Sequence, residues 1–462
     1  MKKLTRSLQI FFNLISKPYI FLLVSALLTY GFFIPFLGYY WDDLMIQWIS
    51  QSMGTAGLAT YFSTNRPVWG LFYQLSTSLL GDAPWQWQIF AIFWRWLAAY
   101  GLFSLCKQIW KQNTPAILAS LIFLTYPGFS QQFIATVYGH FFLVLSAFFF
   151  SLTFNLMALK TTEKKRFWIL TCVALLLSAV NLFSMEYFFM LELLRPFFMW
   201  MVLSQNENSS PCLLKIVVKH WIPYLSLFLL AGFWRAFLFD YQTKNYEVGL
   251  VSLLRENPVQ TVMKLLGTIF KDIWQILIGV WKLVVQLPGQ EFGQRAWMVV
   301  LIFTLILLAF VLLVIYWIER QREHLIFKNA YLKSLWISLI AVVLAGIPFW
   351  LTSIPIGLAF PNDRFTLPFI LGVSIFWISL MMLLPLRRWM QIGIILLAVT
   401  LSTAFQLRTG FHFQRDWEQQ SRFFWQMAWR IPALDENTII FAHELPFQYF
   451  SDNSLTGGLN WI

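Results

Sequence analysis

AWMVVLIFTLILLAFVLLVIYW, residues 296–317, is a run of 22 residues without one charged side chain. An α-helix needs about 20 apolar residues to cross the hydrocarbon core of a bilayer, so this run is long enough to span a membrane. The 462-residue chain is 59% hydrophobic and only 12% charged, about half the charged fraction of a typical soluble domain. Several other runs have a similar character. The sequence therefore predicts an all-α polytopic membrane protein.

Lysine and arginine residues occur in short clusters between the apolar runs. Cytoplasmic loops carry an excess of these residues, so the clusters mark the cytoplasmic ends of spans. The same pattern explains the net charge of +12 without a nucleic-acid partner. The cluster Lys2, Lys3, Arg6 and Lys17 predicts a cytoplasmic N-terminus. Further cytoplasmic marks are Lys107, Lys111, Lys160, Lys164, Lys165, Arg166, Lys215, Lys219, Arg320, Arg322, Lys328, Lys333, Arg387 and Arg388.

The chain must cross the membrane an even number of times between two cytoplasmic marks. If residues 67–80 and 87–106 both spanned the membrane, Lys107 and Lys111 would lie outside. The run 67–80 is also short for a span. We therefore expect 67–80 to form a surface helix within a long first outer loop, residues 39–86.

The same parity places residues 240–295 on the outer face. Their amphipathic part, 262–285, carries Lys264, Lys271 and Asp272, which would be costly at the bilayer centre. About eleven transmembrane helices result, with surface helices on the outer side. The expected spans are residues 18–38, 87–106, 115–130, 138–158, 167–186, 187–203, 221–239, 296–317, 334–358, 366–384 and 389–408.

We expect residues 1–408 to form the transmembrane domain and residues 409–462 a small extracytoplasmic C-terminal tail. The tail is mixed polar and aromatic. It contains an apparent helix, 415–429, and a strand-like run, 438–442. It is interpreted either as a small outer cap or as the start of a domain that continues in a longer chain.

The three cysteines, Cys106, Cys172 and Cys212, lie in or beside apolar segments and lack metal-ligand spacing. This pattern favours neither a disulfide framework nor a zinc site. No spacing of His, Asp or Glu predicts a metal site, and no glycine-rich nucleotide-binding loop is present. We therefore expect no metal and no cofactor.

The first outer loop opens with the most specific feature of the chain, Gly38-Tyr39-Tyr40-Trp41-Asp42-Asp43. Two adjacent carboxylates at a membrane surface suit general-base chemistry, because partial desolvation raises a carboxyl pKa towards the range useful for proton transfer. Tyr40 and Trp41 are candidate substrate contacts beside them. An ordinary interfacial aromatic turn with two solvated acids explains the same residues, since Tyr and Trp are common at membrane interfaces.

Arg66 lies farther along this loop, in Asn65-Arg66-Pro67 at the start of the surface helix. The positive-inside bias disfavours a cation on the outer side, so an anionic partner is expected, either Asp42 or Asp43 or a phosphate. The alternative is a plain helix entry with Pro67 in the first turn.

These features occur in the order found in a known family. An inward N-terminus, one span, an outer loop opening with an acidic pair, an Arg-Pro-led surface helix and a second span containing Trp94-Arg95-Trp96 resemble the GT-C integral-membrane glycosyltransferases. The likeness is greatest to protein O-mannosyltransferases and aminoarabinose transferases. The resemblance implies a polyprenyl-phosphate sugar donor and a catalytic base in the acidic pair. Asn65-Arg66-Pro67 departs from the relatives' His-Pro-Pro-like motif.

The resemblance implies further contacts for the lipid phosphate. Arg364, in Pro361-Asn362-Asp363-Arg364-Phe365, is similar to an arginine that faces the donor phosphate in GT-C relatives; a loop held by Asp363 is the alternative. Arg66 and Arg235 are the other outer arginines suited to the phosphate. His140 and Glu186 are candidate donor or acceptor contacts, and a packed interfacial histidine is the simpler explanation of His140.

The leading hypothesis is an inverting glycosyltransferase on the outer face of the cytoplasmic membrane. Asp42 or Asp43 would act as general base, the donor would be a polyprenyl-phosphate-linked sugar, and the acceptor a glycan, lipid or protein. The alternative is a transporter or flippase of lipid-linked saccharides. Arg95, Glu192 and Arg195 keep that alternative open, because transport requires charges near mid-membrane. The simplest interpretation of Glu192 and Arg195, spaced i, i+3, is an intramembrane ion pair. A structural scaffold would leave the outer acids and arginines unexplained.

Overall fold

The computed structural model describes residues 13–205, 212–242, 249–286, 293–320, 328–435 and 437–461. These ranges fold into seventeen α-helices with short 3₁₀ and π segments and contain no strand. The predicted all-α fold class is therefore confirmed.

The first nine helices are α1 (Pro18–Tyr30), α2 (Asp42–Ser63), α3 (Pro67–Leu80), α4 (Pro84–Trp110), α5 (Asn113–Thr125), α6 (Ala135–Lys160), α7 (Lys164–Ser184), α8 (Arg195–Leu203) and α9 (Leu213–Phe233). The other eight are α10 (Gly249–Glu256), α11 (Pro258–Trp274), α12 (Trp281–Val285), α13 (Gln294–Arg320), α14 (Lys328–Leu351), α15 (Ile370–Leu383), α16 (Arg388–Arg430) and α17 (Asp452–Trp461).

Nine helical segments in the described part of the chain are long and apolar enough to cross a membrane. The chain is a multi-pass membrane protein. These nine coincide with nine of the eleven expected spans: Pro18–Phe36, Pro84–Trp110, Ala135–Lys160, Lys164–Ser184, Leu213–Leu238, Gln294–Arg320, Lys328–Leu351, Asn362–Leu383 and Arg388–Arg430.

The other two expected spans are shorter or broken. Helix α5 has only 13 residues and ends at Thr125, just before Tyr126-Pro127, because a residue that precedes proline avoids helical geometry. Its residues from Thr114 onwards are buried, so α5 contacts other helices instead of lipid. The expected span 187–203 consists of the 3₁₀ segment Phe189–Leu194 followed by the nine-residue α8.

The expected surface segments are helical as predicted. Helix α3 covers the run 67–80, and α11 with α12 covers most of 262–285. Helix α2 fills the loop ahead of α3 and is kinked at Gly54, where φ is 71°. The placement of these helices on the outer face stays a prediction.

The last long helix and the tail differ from expectation. Helix α16 runs unbroken for 43 residues, so the span 389–408 and the helix 415–429 are one element. The strand predicted at 438–442 is wrong: these residues are exposed and irregular. An isolated β segment has no neighbour to satisfy its backbone groups, and the described chain offers it no partner strand.

The tail packs against the start of the first outer loop. Gly457 lies so close to α2 that a Cβ there would sit 3.2 Å from the Cα of Met45, and Gly458 abuts the ring of Phe424. The Trp461 ring packs 5.9 Å from that of Tyr39. Small residues thus let α17 approach the acidic end of α2 closely.

Candidate functional site at the acidic loop

The acidic pair occupies the first turn of α2, and the turn before it is held by the C-terminal part of the chain. The Tyr40 hydroxyl donates to the Phe413 carbonyl at 2.8 Å, and the Trp41 amide donates to the Tyr449 carbonyl at 3.0 Å. Trp41 has a φ of 47°, which bulky residues rarely adopt unless their surroundings impose it. Because α2 starts directly after this turn, Asp42 and Asp43 project about 100° apart.

Asp43 points into the protein. Its side chain is fully buried and accepts the backbone N–H groups of Val137 at 3.0 Å and Thr136 at 3.3 Å, in the first turn of α6. Burial raises the pKa of Asp43 well above its usual range, and these donors lower it only in part. In this structure the Asp43 carboxyl joins α2 to α6, and a catalytic role for Asp43 stays a prediction.

Asp42 is the member of the pair that is half-buried. Burial raises the pKa of the Asp42 carboxyl above its usual range, whereas the nearby Arg364 and Arg66 lower it in part. These two arginines come from segments far apart in the chain. Arg66 and Arg364 therefore both lie within electrostatic reach of Asp42.

Arg66 and Arg235 share one carboxylate. The Arg66 guanidinium donates to one oxygen of Glu186, and the Arg235 guanidinium donates to the other at 2.5 Å. The three side chains are 20–31% exposed. Burial alone would raise the pKa of Glu186, but the two arginines lower it to about 2. The sequence predicted Asp42, Asp43 or a phosphate as the anionic partner of Arg66, and the structure pairs Arg66 with Glu186 instead. Glu186 ties the outer loop, the tip after α7 and the end of α9 together.

Arg364 lies in the 3₁₀ segment Asn362–Phe369 between two aromatic faces. Its guanidinium carbon is 4.6 Å from the centre of the Trp41 ring and 4.7 Å from that of Phe365, both within cation–π range. The preceding Asp363 accepts bonds from the Ser130 amide at 2.8 Å and the Ser130 hydroxyl at 2.6 Å. Asp363 thus anchors the loop, and Trp41 orients Arg364.

The remaining predicted contacts are packed. His140 is fully buried; its Nε2 is 2.9 Å from the Ser76 hydroxyl, its Nδ1 is 2.7 Å from the Thr136 carbonyl, and the Tyr73 ring lies 4.3 Å away. His140 is therefore packed inside the protein, in line with the simpler explanation from the sequence. Tyr40 is also fully buried. Of the aromatic candidates, Trp41 contacts the site, through Arg364.

The charges that favoured transport are enclosed by protein. Glu192 and Arg195 form a fully buried ion pair at 2.5 Å, and Arg195 lies 3.9 Å over the Tyr224 ring. Arg95 donates to the Gln132 side chain at 3.0 Å and stacks 4.6 Å from the Tyr30 ring. Each of these side chains has protein partners on neighbouring helices.

Sequence reasoning missed Asp416. It is buried on α16 and accepts the Gln448 amide at 2.5 Å, which fixes the segment that carries Tyr449. Its setting, Arg415-Asp416-Trp417-Glu418, looks like a solvated helix face, so the sequence carries no signal for this role. Among the described residues, no three His, Cys, Asp or Glu side chains come together as a metal site.

The assembled geometry suits proton abstraction beside a departing anion. Asp42 is a partly desolvated carboxyl, and Arg364 and Arg66 supply fixed positive charge next to it. Arginine matches phosphate geometry well, because its planar fork donates two parallel hydrogen bonds.

Comparison with solved structures gives one likeness to describe. The chain is similar to the crystal structure of ArnT from Cupriavidus metallidurans bound to undecaprenyl phosphate, over 95% of this chain and 84% of that chain, with a TM-score of 0.40 and 14% sequence identity. No family model matches the sequence, and the search of curated proteins gave no match.

Proposed function

We propose that this protein transfers a sugar from a polyprenyl-phosphate donor to an acceptor at the outer face of the cytoplasmic membrane, with Asp42 as general base. One observation carries the proposal: Asp42 is half-buried within electrostatic reach of Arg66 and Arg364. A base beside fixed cations fits a reaction that removes a proton and releases a phosphate.

The proposed reaction is a single displacement. The Asp42 carboxylate accepts the proton of the acceptor hydroxyl or amine, and the acceptor atom attacks the anomeric carbon of the sugar. The bond between that carbon and the phosphate oxygen breaks, and the electron pair leaves with the polyprenyl phosphate. One displacement inverts the configuration at the anomeric carbon.

The arginines stabilise the leaving phosphate. Negative charge develops on its oxygen in the transition state, and preorganised cations are most effective in a poorly hydrated site. Trp41 and Phe365 hold Arg364 in place from two sides, and Glu186 holds Arg66 and Arg235. Two arginines against one glutamate leave a net charge of +1 at that cluster, so it still attracts an anion.

Asp43 holds Asp42, the proposed base, in position. Because its carboxylate is bound to the first turn of α6, it fixes the rotation of α2 about its axis and hence the direction in which Asp42 points. Asp43 is therefore a positioning residue in this proposal, and Asp42 is the catalytic residue.

The test compares asparagine substitutions at three acids of the same loop. Asp42→Asn removes the base but keeps the size of the side chain, so transfer from a synthetic polyprenyl-phosphate sugar should fall about 100-fold or more. Asp82→Asn is the matched control, since the exposed Asp82 carboxylate bonds to Gln51 instead of the site. Asp43→Asn should lower thermal stability. Undiminished transfer by a folded Asp42→Asn protein would refute Asp42 as the base.

A further inference from the structure

A second charged site lies at the opposite end of the bundle. Helices α4, α8 and α14 end or begin around a cavity of about 660 Å³. Among the described residues that line it, three are lysines and none is an acid. The lining residues are Ile109, Trp110, Lys111, Met201, Ser204, Gln205, Lys328, Asn329, Ala330 and Lys333.

The walls of this lysine cavity are fixed by bonds between its elements. The Trp110 indole donates to the Ser334 hydroxyl at 2.8 Å, which joins α4 to α14. The Gln205 amide donates to the Ile109 carbonyl at 2.6 Å, which joins the end of α8 to α4. The cavity is therefore preformed by the packing of three helices.

The lysines come from different elements and meet only in the fold. Lys111 follows the last turn of α4, and Lys328 and Lys333 lie in the first turns of α14. Lys333 donates to the Ser204 hydroxyl at 2.8 Å and lies 4.8 Å over the Trp200 ring. Lys111 and Lys328 are exposed at the rim. The start of α14 adds the positive end of a helix dipole.

Topology alone does not explain this arrangement. The positive-inside bias requires lysines at the cytoplasmic ends of spans, and nearby Lys107 and Lys160 satisfy it from outside the cavity. Lys107 donates to the Asn113 side chain, and Lys160 donates to that of Gln108 at 2.9 Å. The positive-inside bias does not explain why three lysines surround one cavity that is large enough to bind a ligand.

We propose that the lysine cavity binds the phosphate of an anionic ligand at the cytoplasmic end of the bundle. Basic pockets between transmembrane helices on this side suit the head groups of anionic lipids. Compact ammonium groups bind phosphate as point charges, and the Ser204 hydroxyl adds a hydrogen-bonding group. The phosphate belongs either to an inner-leaflet phospholipid or to a soluble phosphate compound. This proposal does not depend on the proposed transferase activity.

Native mass spectrometry of delipidated protein tests the site with two lipid probes. Wild type should bind dioleoylphosphatidylglycerol at least about tenfold more tightly than zwitterionic dioleoylphosphatidylcholine. The triple variant Lys111→Gln, Lys328→Gln, Lys333→Gln should lose that preference. The matched control, Lys165→Gln, Lys215→Gln, Lys219→Gln, removes the same charge from exposed positions and should keep it.

A third variant tests whether the glutamine triple variant fails to bind only because it is misfolded. Replacing Lys111, Lys328 and Lys333 by arginine keeps all three charges and should restore binding. Competition by millimolar inorganic phosphate identifies a soluble phosphate compound as the ligand, and binding of the lipid without such competition identifies the phospholipid. Equal lipid preference in the glutamine triple variant and its control would overturn the site, as would a wild type that neither prefers the anionic lipid nor binds inorganic phosphate.

Discussion

The two ends of the bundle hold their positive charges differently. At the outer end, Arg66 and Arg235 are about four-fifths buried and share one carboxylate, and Arg364 is sandwiched by two rings. At the lysine cavity, Lys111 and Lys328 are exposed. Fixed arginines can stabilise charge that develops during a reaction, because they need no rearrangement. Exposed lysines suit the binding of an anion that is already formed. If both proposals hold, this difference separates a site that catalyses a reaction from a site that binds an anion.

The largest contrast is expected in the transfer rate. Arg364→Gln removes a cation held against the site and should lower kcat about 100-fold or more, because one preorganised donor contributes that much in comparable sites. Lys333→Gln should leave the rate within about twofold, since it lies at the other end. Steady-state transfer assays on both variants make the comparison. Similar losses would mean that the two ends are not functionally distinct.

A second contrast concerns stability. Glu186→Gln leaves two largely buried arginines without their anion, so the free energy of unfolding should fall by about 2 kcal/mol. Glu163→Gln, at an exposed acid of the other end, should change it by less than about 0.5 kcal/mol. Thermal unfolding in detergent at pH 7 measures both. A Glu186→Gln protein as stable as wild type would show that the arginines need no anchor.

The ion pairs of Glu186 with Arg66 and Arg235 predict a dependence of stability on pH. The pKa of Glu186 is about 2 in the folded protein, below the ordinary 4.5. The stabilisation by Glu186 is therefore complete above pH 4.5 and is lost as the pH falls towards 2. The stability difference between wild type and Glu186→Gln should shrink over this interval. A constant difference would argue against the ion pairs as its cause.

The smallest expected effect is on the acidic limb of the activity profile. Arg66 lowers the pKa of Asp42, so Arg66→Gln should move the loss of kcat/KM on acidification to higher pH. Lys328→Gln, far from Asp42, should leave the limb in place. Profiles of kcat/KM against pH for both variants test this. An unmoved limb in Arg66→Gln would mean that another group titrates.

Local pattern was enough to predict the long apolar helices and the helix that begins at Pro67. Apolar run length is a property of neighbouring residues, so nine spans could be placed from sequence. The partners were not predictable: Asp43 meets Val137 across 94 residues, and Arg66 meets Glu186 across 120. Such contacts depend on how the helices pack, and the periodicity of the sequence does not indicate them. The same reason explains why Asp42 and Asp43 looked equivalent and prove different.

Three helices, α2, α3 and α6, begin around the acidic loop, at Asp42, Pro67 and Ala135. Their first turns contribute partial positive charge from the backbone, which no side-chain substitution removes. A protein stripped of Arg66, Arg235 and Arg364 would therefore keep a residual pull on anions, and some substrate capture would survive in it. Substituting the arginines therefore removes only the side-chain part of the local positive potential. The part that comes from the helix N-termini remains.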